Sequence, residues 1–258
     1  SYHLISGAAT ITAAIARIHQ GKMPIEPDPD LGHAANFLYM MTGRKPTAVE
    51  ERIMDIALIL HADHGMNAST FATLVTASTL SDLYLSVGSG IAALSGPLHG
   101  GANEQVVLQL GKIGGPENVA AWVNDVLAKK EKISGFGHRV YKAYDPRARI
   151  LGPLARYLGS GNSEATKLFK TARALEKEVA ANMSAEKQIF PNVDFYSGIV
   201  YNAMGIASEI FTPIFAVSRV SGWTARMLEY LENNRIFRPR AMYSGDFNKK
   251  YIPLNKRA

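Results

Sequence analysis

A mainly α-helical globular fold is predicted, on three observations. Apolar residues recur at helical spacing behind recognisable start signals, alternating strand patterns hardly appear, and the helices are interrupted by short glycine-rich turns rather than long linkers. In chain order, TITAAIARIHQGK near the N-terminus reads as a helix. Thr47 followed by Glu50 forms a capping box ahead of Ile53, Ile56, Ala57 and Leu60, giving a helix that leads into His61. A helix starting at Pro116 places Val119, Trp122, Val123, Val126 and Leu127 on one stripe, with Lys129 and Lys130 in its last turn. Ser163 is a cap for a long helix through TKLFKTARALEKEVAANM, and Thr212 with Pro213 starts another through IFAVSRVSGWTARMLEYLEN. No repeat and no low-complexity tract divides the chain.

Composition narrows the function. With 258 residues, 47% hydrophobic and 19% charged, the chain can bury one large core or two modest ones. It has no run of about 18 uncharged apolar residues and no signal-peptide pattern, so neither membrane spans nor secretion are expected. Zero cysteines exclude disulfides, thiolate metal sites and a cysteine nucleophile, and suit a cytoplasmic location. The net charge of +6 favours anionic partners, but the basic residues are interspersed with acids and carry no nucleic-acid-binding fingerprint. Because the chain opens at Ser1, already within a helical pattern, it reads as a fragment or processed product.

The chemistry-bearing residues cluster in the glycine-rich turns. His99 stands in SGPLHGGAN (95–103), where the backbone can turn tightly against a ligand. His138 stands in SGFGHRVY (134–141), shortly before Asp145-Pro146-Arg147. Histidine beside arginine suits a carboxylate-bearing carbonyl substrate, since Arg clamps the carboxylate while His donates to the carbonyl. Asp194 lies among apolar and aromatic neighbours in PNVDFYSG; it is either a base with a raised pKa or the N-cap of the helix YSGIVYNAMGI. His61 and His64 could share a helix face, but the HxxH spacing lacks a Glu and a third ligand, so no metal site is assigned. Neither nucleotide-loop signature occurs.

GPLHGGAN, GFGHRVYKAYDPRA, PNVDFYSG and FAVSRVSGW, in this order and closed by RPRAMYSG, resemble citrate synthase, and most of all its bacterial and archaeal form. The resemblance implies an almost wholly helical fold in which a small domain (101–205) closes over a large one (1–100 with 206–258). It implies condensation of acetyl-CoA with oxaloacetate and hydrolysis of citryl-CoA, with CoA as substrate and no cofactor. Asp194 matches the base that removes a methyl proton, His99 the donor to the thioester oxygen, and His138 the donor to the oxaloacetate ketone. His64, Arg147 and Arg219 match further oxaloacetate ligands, and Arg238 matches an arginine supplied across a homodimer interface, within a dimer or a higher homo-oligomer. Arg139, Lys142 and Lys187 are candidates for the CoA phosphates. Family members carry a substantial segment ahead of the position of Ser1, so the chain reads as truncated. Two alternatives share these motifs: a 2-methylcitrate synthase using propionyl-CoA, and a non-catalytic assembly subunit. A metal hydrolase on His61 and His64 is a third, without further support.

Overall fold

The computed structural model of the chain describes residues 1–138, 140–141, 143–160, 163–184 and 189–257. Among these residues there are eleven α-helices: α1 (Tyr2–His19), α2 (His33–Thr42), α3 (Ala48–Ala62), α4 (Ala68–Ser78), α5 (Leu83–Leu94), α6 (Ala102–Ile113), α7 (Val119–Ala128), α8 (Pro146–Gly159), α9 (Ser163–Val179), α10 (Val193–Ala203) and α11 (Phe211–Leu231). The only strand-like pairing among the described residues is an isolated antiparallel bridge between Phe136 and Pro191. The mainly α expectation therefore holds.

The capping box is present on α3. Thr47 Oγ1 accepts from the Glu50 amide at 3.2 Å, and the Glu50 carboxylate accepts from the Thr47 amide at 2.7 Å. Ile53 and Ala57 are buried as their spacing predicts, but Met54 and Leu58 complete the inward face while Ile56 and Leu60 stay half-buried at its flank. The start at Pro116 needs correction: Pro116–Asn118 is a 3₁₀ turn, and the α-helix begins at Val119. Its end also differs. The helix stops at Ala128, so Lys129 is the C-cap and Lys130 turns the chain with φ of 56°. Ser163 is the first helical residue of α9, not its cap, and α9 runs on into a π turn at Ala180–Ser184.

Thr212 does not cap α11 either. The helix begins at Phe211, and Thr212 Oγ1 instead donates to the Gly100 carbonyl at 3.0 Å, tethering the His99 turn from 112 residues away. A hydroxyl inside the first turn is free for this role because the cap position falls earlier.

Two hydrophobic clusters support the fold. The larger lies beneath α1 to α3 and α6 to α10, and includes Phe37, Met54, Val106, Leu151, Leu175 and Phe195. The smaller surrounds Trp223, with Leu74, Val87, Leu94, Phe215 and Met227 beneath α4, α5 and α11. α10 is buried on nearly every side, from Phe195 to Tyr201, as expected of a helix apolar all round. It places Asp194 at the edge of the larger core.

α11 approaches the end of α3 very closely. A Cβ on Gly222 would stand 2.0 Å from the Ala62 carbonyl oxygen, so only glycine lets Arg219, one turn earlier, reach that helix end. Gly222→Ala is expected to cost about 1–3 kcal/mol of stability by overpacking. Gly7→Ala, on open surface of α1, is expected to stabilise by about 0.5–1 kcal/mol. Chemical denaturation of both variants checks this; equal stabilities would show that the two helices do not approach so closely.

Candidate active site

The last turn of α3 leaves carbonyl groups without helical partners, a natural seat for a cation. Arg219 takes it: Nε donates to the His61 carbonyl at 2.6 Å, and the guanidinium lies 4.8 Å from the centre of the Phe215 ring. The side chain is 1% exposed, and its Nη1 is buried without a partner. Burial, with Arg147 nearby, lowers its pKa to about 10, so it remains cationic at neutral pH. A buried cation with an unspent donor is a receptor for an anion.

His61 itself is structural. Its Nδ1 lies 2.8 Å from the Ala57 carbonyl, the ring packs edge-on against Phe215 at 4.8 Å, and burial lowers its pKa to about 4. His64 sits two residues beyond the end of α3, so the two histidines share no helix face. Among the described residues no group of three His, Asp or Glu side chains could hold a metal ion.

The histidines of the two glycine-rich turns, His99 and His138, have assigned tautomers. His99 Nε2 accepts from the Ser69 amide at 3.3 Å and lies 2.9 Å from the Ser69 hydroxyl, so the ring proton sits on Nδ1. His138 Nδ1 accepts from the amides of Val140 and Tyr141, both at 3.1 Å, so its proton sits on Nε2. Each ring is thereby held by its acceptor nitrogen and left with an N–H to offer. Burial and Arg219 lower the pKa of His99; burial and Arg147, opposed by Asp145, lower that of His138. Both shifts favour the neutral ring, which keeps one N–H as a hydrogen-bond donor.

His64 joins His138 across 5.0 Å between ring centres, and its Nε2 lies 3.2 Å from the Tyr141 hydroxyl. The Tyr141 ring lies tilted against that of His138, 4.7 Å between centres, and the Arg147 guanidinium lies 5.9 Å from the Tyr141 ring centre. Arg147 is fixed by Asp145, which caps α8: the Asp145 carboxylate accepts from the Arg147 amide, Nε and Nη2 at 2.9, 3.0 and 2.8 Å. Asp145 is 1% exposed and also accepts from the Val193 amide at 3.1 Å, tying the start of α8 to that of α10.

Of the two readings of Asp194, the cap fails. Asn192 caps α10 by accepting from the Asp194 amide at 3.0 Å, while its Nδ2 donates to the Gly137 carbonyl at 2.9 Å. Gly135, at φ of 81°, accepts from the Asn192 amide at 2.9 Å, so the His138 turn and the Asp194 helix are stitched together. Asp194 Oδ1 is buried with no partner, although the residue keeps some exposure, and burial raises its pKa to about 6 against the pull of Arg147 and Arg219. The fields of Arg147 and Arg219 reach His64 and Asp194 alike, which places these groups around one site.

The three CoA candidates, Arg139, Lys142 and Lys187, lie outside the described residues. Arg238 stands on the exposed segment after α11, its Nη1 donating to the Pro239 carbonyl at 3.3 Å. Sequence reasoning missed Asp145, Ser69 and Tyr141 as site builders. Only Asp145 carried a local signal, an N-cap residue directly ahead of a proline.

A helical scaffold that carries a buried carboxylate, two imidazole donors and two buried arginines has the groups that acid–base chemistry on an anionic carbonyl compound needs. Comparison with known proteins agrees. Residues 1–240 match the family model for the C-terminal domain of citrate synthase. The chain is 49% identical over 257 residues to the citrate synthase of Deinococcus radiodurans, covering 100% of this chain and 68% of that protein. The crystal structure of citrate synthase from Pyrobaculum aerophilum is 52% identical with a TM-score of 0.90, covering 98% of this chain and 63% of the other. A ternary complex of carboxymethyl coenzyme A and oxaloacetate with the enzyme from Thermoplasma acidophilum is 43% identical with a TM-score of 0.91, covering 98% of this chain and 67% of that one. The chain belongs to the citrate synthase family. It spans about two thirds of the length of these relatives.

The raised pKa of Asp194 carries a stability consequence. Its folded value, about 6, exceeds the ordinary 3.8, so the native state favours the protonated form, and the penalty builds as pH rises from 3.8 to about 6 and is complete above that. Asp194→Asn is therefore expected to stabilise the fold at pH 7 by up to about 3 kcal/mol. The gain should fade as pH falls toward 4, which melting curves from pH 4 to 7.5 would reveal.

Proposed function

We propose that this chain carries the catalytic site of a citrate synthase acting on acetyl-CoA and oxaloacetate. One observation supports it above the rest: Asp194, whose buried Oδ1 has no hydrogen-bond partner among the described residues, stands at the start of the helix stitched to the His138 turn, and His138 and His99 are each held through the acceptor nitrogen of the ring. In this reading Arg147, Arg219 and His64 hold the oxaloacetate carboxylates, and Arg238 of the partner subunit completes the set in a homodimer. The Asp194 carboxylate takes a proton from the acetyl methyl group while His99 Nδ1–H stabilises the negative charge forming on the thioester oxygen. Neither group suffices alone, because a thioester α-proton is far less acidic than a carboxylic acid. The enol carbon then attacks the oxaloacetate ketone, whose oxygen is polarised by His138 Nε2–H, and the new C–C bond gives citryl-CoA. Water attacks its thioester carbonyl and the C–S bond breaks, releasing citrate and CoA thiol.

Arg139, Lys142 and Lys187 are proposed to meet the CoA phosphates, and the segment 101–205 to close against 1–100 and 206–258, excluding water until condensation is done. No cofactor enters the scheme. Among the described residues no helix is long and apolar enough to cross a membrane, which is compatible with action in the cytoplasm.

Oxaloacetate-dependent release of CoA thiol from acetyl-CoA is the expected activity, and Asp194→Ala is expected to lower its rate by about 10²–10⁴-fold. No release by the folded parent chain would sink the reading; faster turnover of propionyl-CoA would move it to the methyl homologue. Because the base must be ionised, kcat/KM is expected to fall as pH drops through about 6. A profile flat down to pH 5 would remove Asp194 from that role.

A further inference from the structure

Glu176, on α9, belongs to none of the groups placed in the site, yet its side chain is only 12% exposed and joins segments far apart in the chain. Its Oε1 accepts from the Tyr144 hydroxyl at 2.5 Å and its Oε2 from the Tyr196 hydroxyl at 2.7 Å. Arg173, one turn earlier on α9, pairs with the same carboxylate and donates to the Tyr196 hydroxyl at 3.1 Å. Burial, and then Glu176, push the phenol pKa of both tyrosines up, so both stay protonated and donate.

What the two tyrosines adjoin gives the cluster its meaning. Tyr144 directly precedes Asp145, whose carboxylate holds Arg147 and the Val193 amide. Tyr196 shares the first turn of α10 with Asp194, and its ring lies against Gly152 of α8, 3.4 Å from where a Cβ would stand. Residues two apart on a helix point to nearly opposite sides, so a tether on Tyr196 fixes the rotation at which this turn presents Asp194. Arg147, Asp145 and Arg219 are the charged groups whose fields act on Asp194, so the influence of Glu176 on it runs through position.

We propose that Glu176 is a positioning residue for the condensation, one carboxylate that sets the places of both Asp194 and the Asp145–Arg147 pair. In this role, which rests on Asp194 as the base and Arg147 as an oxaloacetate ligand, Glu176 touches no substrate. The two hydroxyls divide the work. Tyr144 carries the position of the substrate-binding pair, and Tyr196 carries that of the base.

Tyr144→Phe and Tyr196→Phe test it, since each keeps the ring and its packing and loses only the hydroxyl. With acetyl-CoA and oxaloacetate, Tyr196→Phe is expected to lower kcat about tenfold and leave the oxaloacetate KM within about twofold, as small misplacement of a reacting group implies. Tyr144→Phe is expected to raise that KM about fivefold with kcat little changed. Glu176→Ala should show both changes, and neither Phe substitution should add to them, because members of one network are not additive. Lowered melting temperatures with wild-type kcat and KM would make the cluster structural only and overturn the proposal. Tyrosine effects that add fully to those of Glu176→Ala would overturn it too. Carboxyl-carbon NMR of Asp194 needs no turnover, and so separates the tether from the reading it rests on. The Asp194 midpoint near 6 is expected to fall toward 3.8 by roughly half a unit or more in Tyr196→Phe, as the loosened turn admits water. A midpoint that does not fall overturns the proposal even in an active enzyme. A lowered midpoint in a chain whose wild type releases no CoA would sink the synthase reading and uphold the tether.

Discussion

The Asp145–Arg147 pair is the interaction on which the site depends. Burial alone would raise the Asp145 pKa, yet the Arg147 hydrogen bonds and charge and the Val193 amide more than offset it and hold the carboxyl below its usual range. Buried ion pairs do not stabilise a fold simply by existing, because desolvation cancels much of the attraction. What this one supplies is position. Its carboxylate caps α8, aims Arg147 at Tyr141 and the histidines, and grips the first amide of α10. Losing either partner would leave a buried charge uncompensated and free the starts of two helices together.

Asp194 shows the opposite treatment of the same functional group, one residue beyond that gripped amide. Asn192, not Asp194, satisfies the helix start, and the Asp194 carboxylate is left with a buried oxygen and no donor among the described residues. Asp145 is therefore an acid held ionised by its partners, whereas Asp194 is held near the threshold of protonation by their absence. Two carboxylates at neighbouring helix starts thus take different roles from environment alone.

Burial, reinforced by the arginines, lowers the pKa values of the histidines. Arg147 and Arg219 stand close enough to disfavour imidazolium on His64, with Arg219 acting on His99 and Arg147 on His138. The same two cations thus add to burial in favouring the neutral rings. Their anchoring is reached through packing: Gly222 admits α11 to the end of α3, and the Trp223 indole donates to the Ser69 hydroxyl at 3.3 Å, beside His99.

The sequence by itself determined what depends on neighbours along the chain. The helical class, the Thr47–Glu50 capping box, the glycine turns bearing His99 and His138, and the motifs that carry the family resemblance were all legible. Local signals misled where tertiary contacts claimed the same group: Thr212 reads as a cap but binds the Gly100 carbonyl, and Pro116 opens a 3₁₀ turn instead of the helix. Only the tertiary structure ruled out the cap reading of Asp194, assigned the tautomers of His99 and His138 through Ser69 and the 140–141 amides, and left Arg219 Nη1 unpartnered among the described residues. Each of those outcomes is set by burial and by hydrogen-bond partners brought together through folding, and neither quantity is written in local sequence.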